Sequence, residues 1–398
     1  MKKNKLPKIS IVTITRNRSH LFDLAIKNWK NFNYPKELME WVIVDDGHEN
    51  LNIPDDKRIK YYKFNENEIQ YLIDKCYQKM PNNENTNMWY IYHSKIKCIP
   101  IGLKRNLAVQ YCKNSYILHM DDDDYYPEDS VKIRVNALYE NKCCYCDSIP
   151  SFNVNTLKGH IISSKKEKIV SEATLAYKKS FWEDKKFNNF SIEKEGIDFV
   201  ENREHIKILP YNHIIVSLVH TFNHSRRIAL SEKSGNIFNI DLLTYEFIVN
   251  MDSKKKYSEL GQEHWVLEIS NFKKNGTCLE ISDVIVNTKL LQEDYNWNLL
   301  LLSTLPMSLY YIGDYSKILD TLGEKKYPIE SDYLSINVKN PYEIVKNIPF
   351  QHFKFKSITV KNEPKTVLFL KRWGYIIINK VADELWFLHN SFFTDYKN

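Results

Sequence analysis

Four successive aspartates, Asp121-Asp122-Asp123-Asp124, follow directly on the apolar run Tyr116-Ile117-Leu118-His119-Met120. An acidic run is often only a solvated loop, but this one closes a hydrophobic strand. Carboxylates at a strand end offer hard oxygen ligands to Mg2+ or Mn2+, with substrate phosphates completing the shell. A cation held there would neutralise charge developing on a leaving diphosphate. A calcium loop of the EF-hand type fits badly, because Tyr126 stands where that loop needs Gly and Lys132 where it needs Glu. A second acidic pair, Asp45-Asp46, closes the run Trp41-Val42-Ile43-Val44 and precedes Gly47. The chain has no G-x-x-x-x-G-K-[ST] loop and no G-x-G-x-x-G turn, so metal and side chains would have to hold any phosphate.

The elements that must position these carboxylates alternate. Ile9 to Thr15 is rich in β-branched residues and short enough for a buried strand. Asn17 or Ser19 can cap a helix carrying Phe22, Ala25, Ile26 and Trp29 at helical spacing. Trp41–Val44 reads as a second strand and Ile59–Phe64 as a third. The polar, Asn-rich stretch from Asn65 to His93 reads as an irregular insertion or lid. A helix follows Gly102, and another begins near Pro127-Glu128-Asp129, where Pro and acids suit a first turn. This alternation predicts an α/β fold with a mostly parallel sheet flanked by helices. Ligands of such sheets sit beyond the carboxyl ends of the strands, where both acidic groups fall. From about Ser231 helical patterns dominate, and strand-like alternation returns between Phe353 and Leu388. The expected organisation is a first domain over residues 1–230 and a mainly helical second domain or extension over 231–398.

The bulk numbers fit this reading. With 398 residues, two domains are the natural prior. A net charge of +6, spread along the chain without a basic stripe, gives no support for nucleic-acid binding. No apolar run approaches the ~18 residues of a membrane span, and no signal peptide is evident, so the expectation is a cytoplasmic protein. Seven Cys at irregular spacing argue against a disulfide framework. Cys143-Cys144-Tyr145-Cys146 lacks the second ligand pair of a zinc site and reads as a buried strand.

Thr15-Arg16-Asn17, Val44-Asp45-Asp46-Gly47, Arg105-Asn106 and Asp121–Asp124 occur in this order, each at a matching strand end or helix. Together they resemble the GT-A-fold glycosyltransferases of family 2, over about residues 8 to 228. The resemblance implies a GT-A, Rossmann-like mixed sheet and a metal-dependent transfer of sugar from a nucleotide-diphosphate donor, a UDP-sugar, to a hydroxyl acceptor. It implies that Thr15, Asp45 and Asp46 contact the nucleotide, that Lys104 and Arg105 reach the base or diphosphate, and that Asp121 and Asp122 complete the donor side. Asp123, Asp124 and His220 would hold Mn2+ or Mg2+. His224, Arg226 and Arg227 could touch the diphosphate.

The family places a catalytic carboxylate near Glu193-Lys194-Glu195-Gly196-Ile197-Asp198, commonly as an adjacent E-D pair. Here the acids are separated, and Glu195 is the first choice as general base, Asp198 the second. Gly196 would let the backbone turn the Glu195 carboxylate toward the crevice. The bland alternative is a pair of acids complementing a helix dipole. Two other readings stay open: a nucleotidyltransferase of related fold, against which stands the lack of a Gly-rich loop after the first strand, and a non-catalytic carbohydrate-binding relative. A processive synthase is disfavoured, because Phe369 stands where the Q-x-x-R-W motif before Arg372-Trp373 needs Gln. The acceptor is unspecified.

Overall fold

The computed structural model describes residues 5–154, 156–163, 168–191, 194–220, 233–251, 258, 260–282, 287–303 and 311–393. The chain forms two compact units, one of Met1–Thr86 with Lys97–Ser253 and the other of Asn87–Ile96 with Lys254–Asn398.

The first unit is built on strands β1 (Ile9–Thr15), β2 (Met39–Asp45), β3 (Ile59–Lys63), β4 (Tyr116–His119), β5 (Cys143–Cys146), β6 (Ile149–Asn153), β7 (Lys158–Ile162), β8 (Ala176–Lys178), β9 (Ile206–Leu209), β10 (Ser217–Val219) and β11 (Lys233–Ser234). Its helices are α1 (Phe22–Asn31), α2 (Glu66–Tyr77), the start of α3 (Glu84–Ile96), α4 (Ile101–Tyr111), α5 (Ser130–Glu140), α6 (Lys179–Asp184), α7 (Glu195–Val200) and α8 (Leu242–Met251). Seven strands form a sheet in the order β3-β2-β1-β4-β8-β5-β9. All run parallel except β8, which is antiparallel to both β4 and β5. The result is a mixed, mostly parallel α/β sheet flanked by helices.

Strands β1 and β2 carry apolar residues on both faces because both faces are covered. The buried polar pair within them is satisfied by Ser10 Oγ donating to Glu40 Oε1 at 2.5 Å. Ile9, Ile11, Trp41 and Ile43 pack into one core, and Val12, Val42 and Val44 into the other. The chain leaves β1 toward β2 and β3 on one side and returns through β4 on the other, so the strand order reverses beside β1. Thr15 pairs with Asp45 at the carboxyl ends, and the aspartate run leaves β4 at the same end. That is where an open α/β sheet binds its ligand. A smaller sheet, β10-β6-β7-β11, completes this unit.

Three local expectations need correction. Neither Asn17 nor Ser19 caps α1: Leu21 precedes the helix without a side-chain cap, and Asn17 takes a left-handed φ of 52° while its Oδ1 accepts from His48 N. The stretch 65–93 is helical, not irregular. Asn65 opens α2 with a reciprocal capping box to Glu68, and Ile69, Ile73 and Cys76 supply a buried stripe. The first unit also continues past residue 230. Tyr245, Phe247 and Ile248 of α8 pack with Leu24, Phe152 and Leu218, so the composition change at Ser231 precedes the unit boundary.

The second unit departs from the helical expectation. Strands β12 (Thr277–Ser282), β13 (Asn298–Leu302), β14 (Glu330–Asn337), β15 (Lys354–Lys361), β16 (Tyr375–Val381) and β17 (Glu384–His389) form one sheet, in the order β13-β12-β14-β15-β17-β16. Helices α9 (Gln262–Ile269), α10 (Lys289–Tyr295), α11 (Ile318–Glu324), α12 (Pro341–Val345) and α13 (Pro364–Arg372) accompany it. β12 hides in sequence because Glu280 interrupts its apolar run. That carboxylate is fully buried and accepts from Thr288 Oγ1, from Ser282 Oγ at 3.1 Å and from Asn287 N at 3.2 Å. Among the described residues, no helix is long and apolar enough to cross a membrane.

Candidate active site

The aspartate turn is locked by its neighbours. Tyr126 OH accepts from Asp121 N at 2.8 Å and donates to Ala173 O at 3.0 Å. Asp122 accepts from Thr15 Oγ1 at 2.5 Å and from Arg18 Nη1 at 2.9 Å. Asp123 accepts from the same Arg18 nitrogen at 2.8 Å and lies 3.1 Å from His220 Nε2. Asp124 Oδ1 accepts from Ser217 Oγ at 2.8 Å and Leu218 N at 3.0 Å, which ties the turn to β10.

One ligand atom from each of Asp121, Asp123 and Asp124 falls within a cluster 4.8 Å across. Burial, reinforced by Asp123 and Asp122 against the pull of Arg105, pushes the Asp121 carboxyl up to about 6. Burial would lower Arg18, but Asp123 and Asp122 outweigh it and keep the guanidinium charged. The turn therefore holds more negative charge than one arginine balances. A donor set of clustered carboxylate oxygens with an adjacent imidazole suits a hard divalent cation.

The second acidic pair fixes the loop after β2. Asp45 accepts from Gly47 N at 2.7 Å, Tyr61 OH at 2.7 Å and Lys63 Nζ at 2.9 Å. A side chain at Gly47 would come within 2.5 Å of Asn17 N, so only glycine allows this approach. Asp46 accepts from Ile99 N at 2.6 Å and pairs with Lys104 Nζ. Burial would raise the Asp46 carboxyl, but Lys104 and Arg16 hold it below its ordinary value. Lys104 in this structure thus braces Asp46 from α4.

Arg105, one residue on, links the aspartate turn to the acidic helix. Its Nε donates to Glu195 Oε1 at 2.5 Å, and its Nη1 lies 3.8 Å from Asp121 Oδ1. The same Nη1 sits 2.9 Å from His119 Nδ1. Burial, with Arg105 and Arg134 nearby, holds His119 well below its ordinary pKa. A guanidinium only donates, so neutral His119 accepts at Nδ1 and its Nε2–H points to Tyr177 OH at 2.8 Å.

Glu195 and Asp198 part company here. Glu195 is buried on Arg105, whereas the Asp198 side chain is 46% exposed and pairs with Lys185 at 3.2 Å. The turn that presents Glu195 is made at Lys194, whose φ of 54° is left-handed, and not at Gly196. Gly196 serves close packing instead: a Cβ there would meet Glu172 Cγ at 2.8 Å and Val170 Cγ1 at 2.9 Å. Gly196 N donates to Glu172 Oε1 at 3.1 Å. Burial, then the charge of Glu195, pushes the Glu172 carboxyl up to about 7.

Sequence reasoning missed Arg18, His119 and Glu172. The only signal for Arg18 was a basic residue just past the end of β1. Glu172 carried none, since its partners Glu195 and Gly196 lie on α7, a separate element of the chain. His224, Arg226 and Arg227 lie outside the described residues.

The fold and this acidic crevice define an α/β protein with clustered carboxylates at the carboxyl ends of its central strands. Residues 101–193, which run from α4 through the aspartate turn to the approach of α7, match the family model described as Glycosyl transferase family 2. That segment is therefore similar to glycosyltransferase family 2. No curated protein matches the chain. Among solved structures, S. aureus TarS 1-349 is similar at a TM-score of 0.35 and 16% identity, over 53% of this chain and 60% of that one. The mannosyltransferase PcManGT from Pyrobaculum calidifontis, solved with GDP-Man and Mn2+, is similar at a TM-score of 0.31 and 12% identity, over 54% and 57%. TarS 1-349 in complex with UDP-GlcNAc gives a TM-score of 0.35 and 13% identity over 67% and 71%. This chain spans 60% and 57% of the first two. At these identities and scores the likeness is remote.

Proposed function

We propose that the chain is a non-processive, inverting glycosyltransferase that moves a sugar from a UDP-sugar to a hydroxyl acceptor with Mn2+ or Mg2+ bound. The observation that carries this is the gathering of Asp121, Asp123 and Asp124 at the carboxyl end of β4, joined by Arg105 to Glu195. On this reading Thr15, Asp45 and Asp46 would contact the nucleotide, Asp121 and Asp122 the ribose side and Arg105 the base or diphosphate, while Lys104, paired with Asp46, would act through that carboxylate. Asp123, Asp124 and His220 would hold the cation. When bound, it supplies a positive charge that stabilises the leaving diphosphate.

Glu195 acts as general base, and Arg105 fixes its carboxyl in place. The acceptor O–H proton passes to Glu195 Oε as the acceptor oxygen bonds to the anomeric carbon. The bond from that carbon to the diphosphate oxygen breaks, and its electron pair leaves with the phosphate. One displacement inverts the anomeric centre. Asp198 is the weaker candidate, because its side chain is turned to Lys185 and solvent.

Calorimetric titration with UDP tests the donor site. Binding with Mn2+ should be at least about tenfold tighter than with EDTA, equivalent to about 1.4 kcal/mol. Equal affinity in both conditions would remove the cation from the account.

A further inference from the structure

The second unit contains a cavity that the transferase reading does not use, at the amino ends of β14 and β15. Its volume is about 340 Å³, within the usual range of small-ligand sites. Glu330 pairs with Lys354 in the strand register. Because side chains alternate along a strand, Asp332 and Lys356 point to the same face as that pair. Lys273 and Lys95 add two more ammonium groups to the lining.

Three of these lysines, partly exposed, are paired with carboxylates of the lining. Asp332, whose side chain is 7% exposed, accepts from Lys273 Nζ at 2.7 Å, Lys356 Nζ at 2.9 Å and Thr277 N at 3.0 Å. Burial would raise the Asp332 carboxyl, but these two lysines hold it below its ordinary value. Lys354 Nζ lies 3.7 Å from Glu330, and Lys95 Nζ lies 4.6 Å from the centre of the Phe392 ring. Among the described residues, Lys273, Lys354 and Lys356 face Glu330 and Asp332 around one cavity, leaving an excess of positive charge that an anion would offset.

The lining identifies the anion's class. Among the described residues it contains no arginine, so it lacks the planar fork that recognises a carboxylate in bidentate fashion. Lysines instead act as converging point charges, which suits the several oxygens of a phosphate. Val266, Ile269 and Phe392 give one wall an apolar character for the organic part of such a ligand.

We propose that this cavity binds a phosphate-bearing ligand through Lys273, Lys354 and Lys356. The site is independent of the donor crevice and stands whether or not the chain transfers sugar.

Lysine acylation read by mass spectrometry on the full chain, with EDTA present, tests this. The probes are inorganic phosphate and glycerol phosphate, with glycerol and sodium chloride of matched ionic strength as controls. A probe at about three times its Kd should slow acylation of Lys273, Lys354 and Lys356 about fourfold. Exposed Lys325 and Lys326 in the same unit should be unaffected. Slowing by both phosphates marks the phosphate group itself as the determinant, and slowing by glycerol phosphate alone marks a phosphoester ligand. The K354Q/K356Q double variant should lose the protection at Lys273. Unchanged rates with both probes, equal slowing at Lys325 and Lys326, or equal slowing by sodium chloride would overturn the proposal.

Discussion

Replacing Glu195 by Gln keeps the shape of the side chain and an oxygen for Arg105 Nε, but removes the negative charge and the capacity to take a proton. If Glu195 is the base, turnover should fall roughly 10²- to 10⁴-fold, or about 3 to 5 kcal/mol of lost transition-state stabilisation. The structure also predicts a stability cost. Arg105 and Glu195 are both buried, at 4% and 2% side-chain exposure, and removing one member of such a pair typically costs about 3–5 kcal/mol. Here Gln still accepts from Nε and Asp121 remains 3.8 Å from Nη1, so the loss should be smaller, on the order of 1–3 kcal/mol. The assay is UDP release under Mn2+, with UDP affinity by calorimetry and urea denaturation on the same preparations. Turnover should collapse while the protein stays folded and UDP affinity changes little, because the proton belongs to the acceptor. Asp198→Asn is the control: its exposed pairing with Lys185 is worth at most about 1 kcal/mol, and activity should hold. An inactive Asp198→Asn beside an active Glu195→Gln would refute the assignment. Two active variants would reduce the acids of α7 to a helix start.

Glu172 makes a prediction about pH. Its folded pKa of about 7 lies above the ordinary 4.5, so folding favours the protonated form. The stability tied to this group is fully present below pH 4.5 and is lost as pH rises toward 7. Glu172→Gln should therefore match the wild type near pH 4 and exceed it at pH 8, by on the order of 1–2 kcal/mol after discounting for partial exposure. Urea midpoints at the two pH values decide this, and a variant less stable at pH 8 would show that the carboxylate is needed. Cys146→Ser should keep most of its activity, since the thiol is buried in β5 and burial pushes it up to about 11. Elemental analysis should find no zinc in the purified protein; stoichiometric zinc would contradict the core reading of these cysteines.

The parts of the fold that were legible in the sequence are those whose side chains share one environment. β1 and β2 are buried on both faces, so apolar residues dominate them and the Trp41–Val44 run ends where the composition changes. β8, the one reversed strand of the large sheet, has only three residues, too few for a pattern. β12 was obscured by Glu280, a buried acid whose partners Thr288 and Asn287 lie beyond the strand. At the site, the aspartate turn was visible because the four acids are contiguous. The groups that complete it were not, because their pairings span the chain: Arg18 reaches Asp122 and Asp123, and Arg105 reaches Glu195. Lys104 and Arg105 look alike in sequence, yet one braces Asp46 and the other joins Asp121 to Glu195.

The central claim is that the acids at the end of β4 serve sugar transfer from a nucleotide donor. The most direct measurement is UDP release from a panel of UDP-hexoses and UDP-N-acetylhexosamines with Mn2+, by the wild type and by Asp123→Ala. Asp123→Ala should stay folded, because Arg18 keeps its bond to Asp122. The account predicts that at least one donor is turned over faster than in buffer, even if only by slow transfer to water, and that Asp123→Ala loses this activity. Release no faster than in buffer for every donor, or undiminished release by Asp123→Ala, would contradict it.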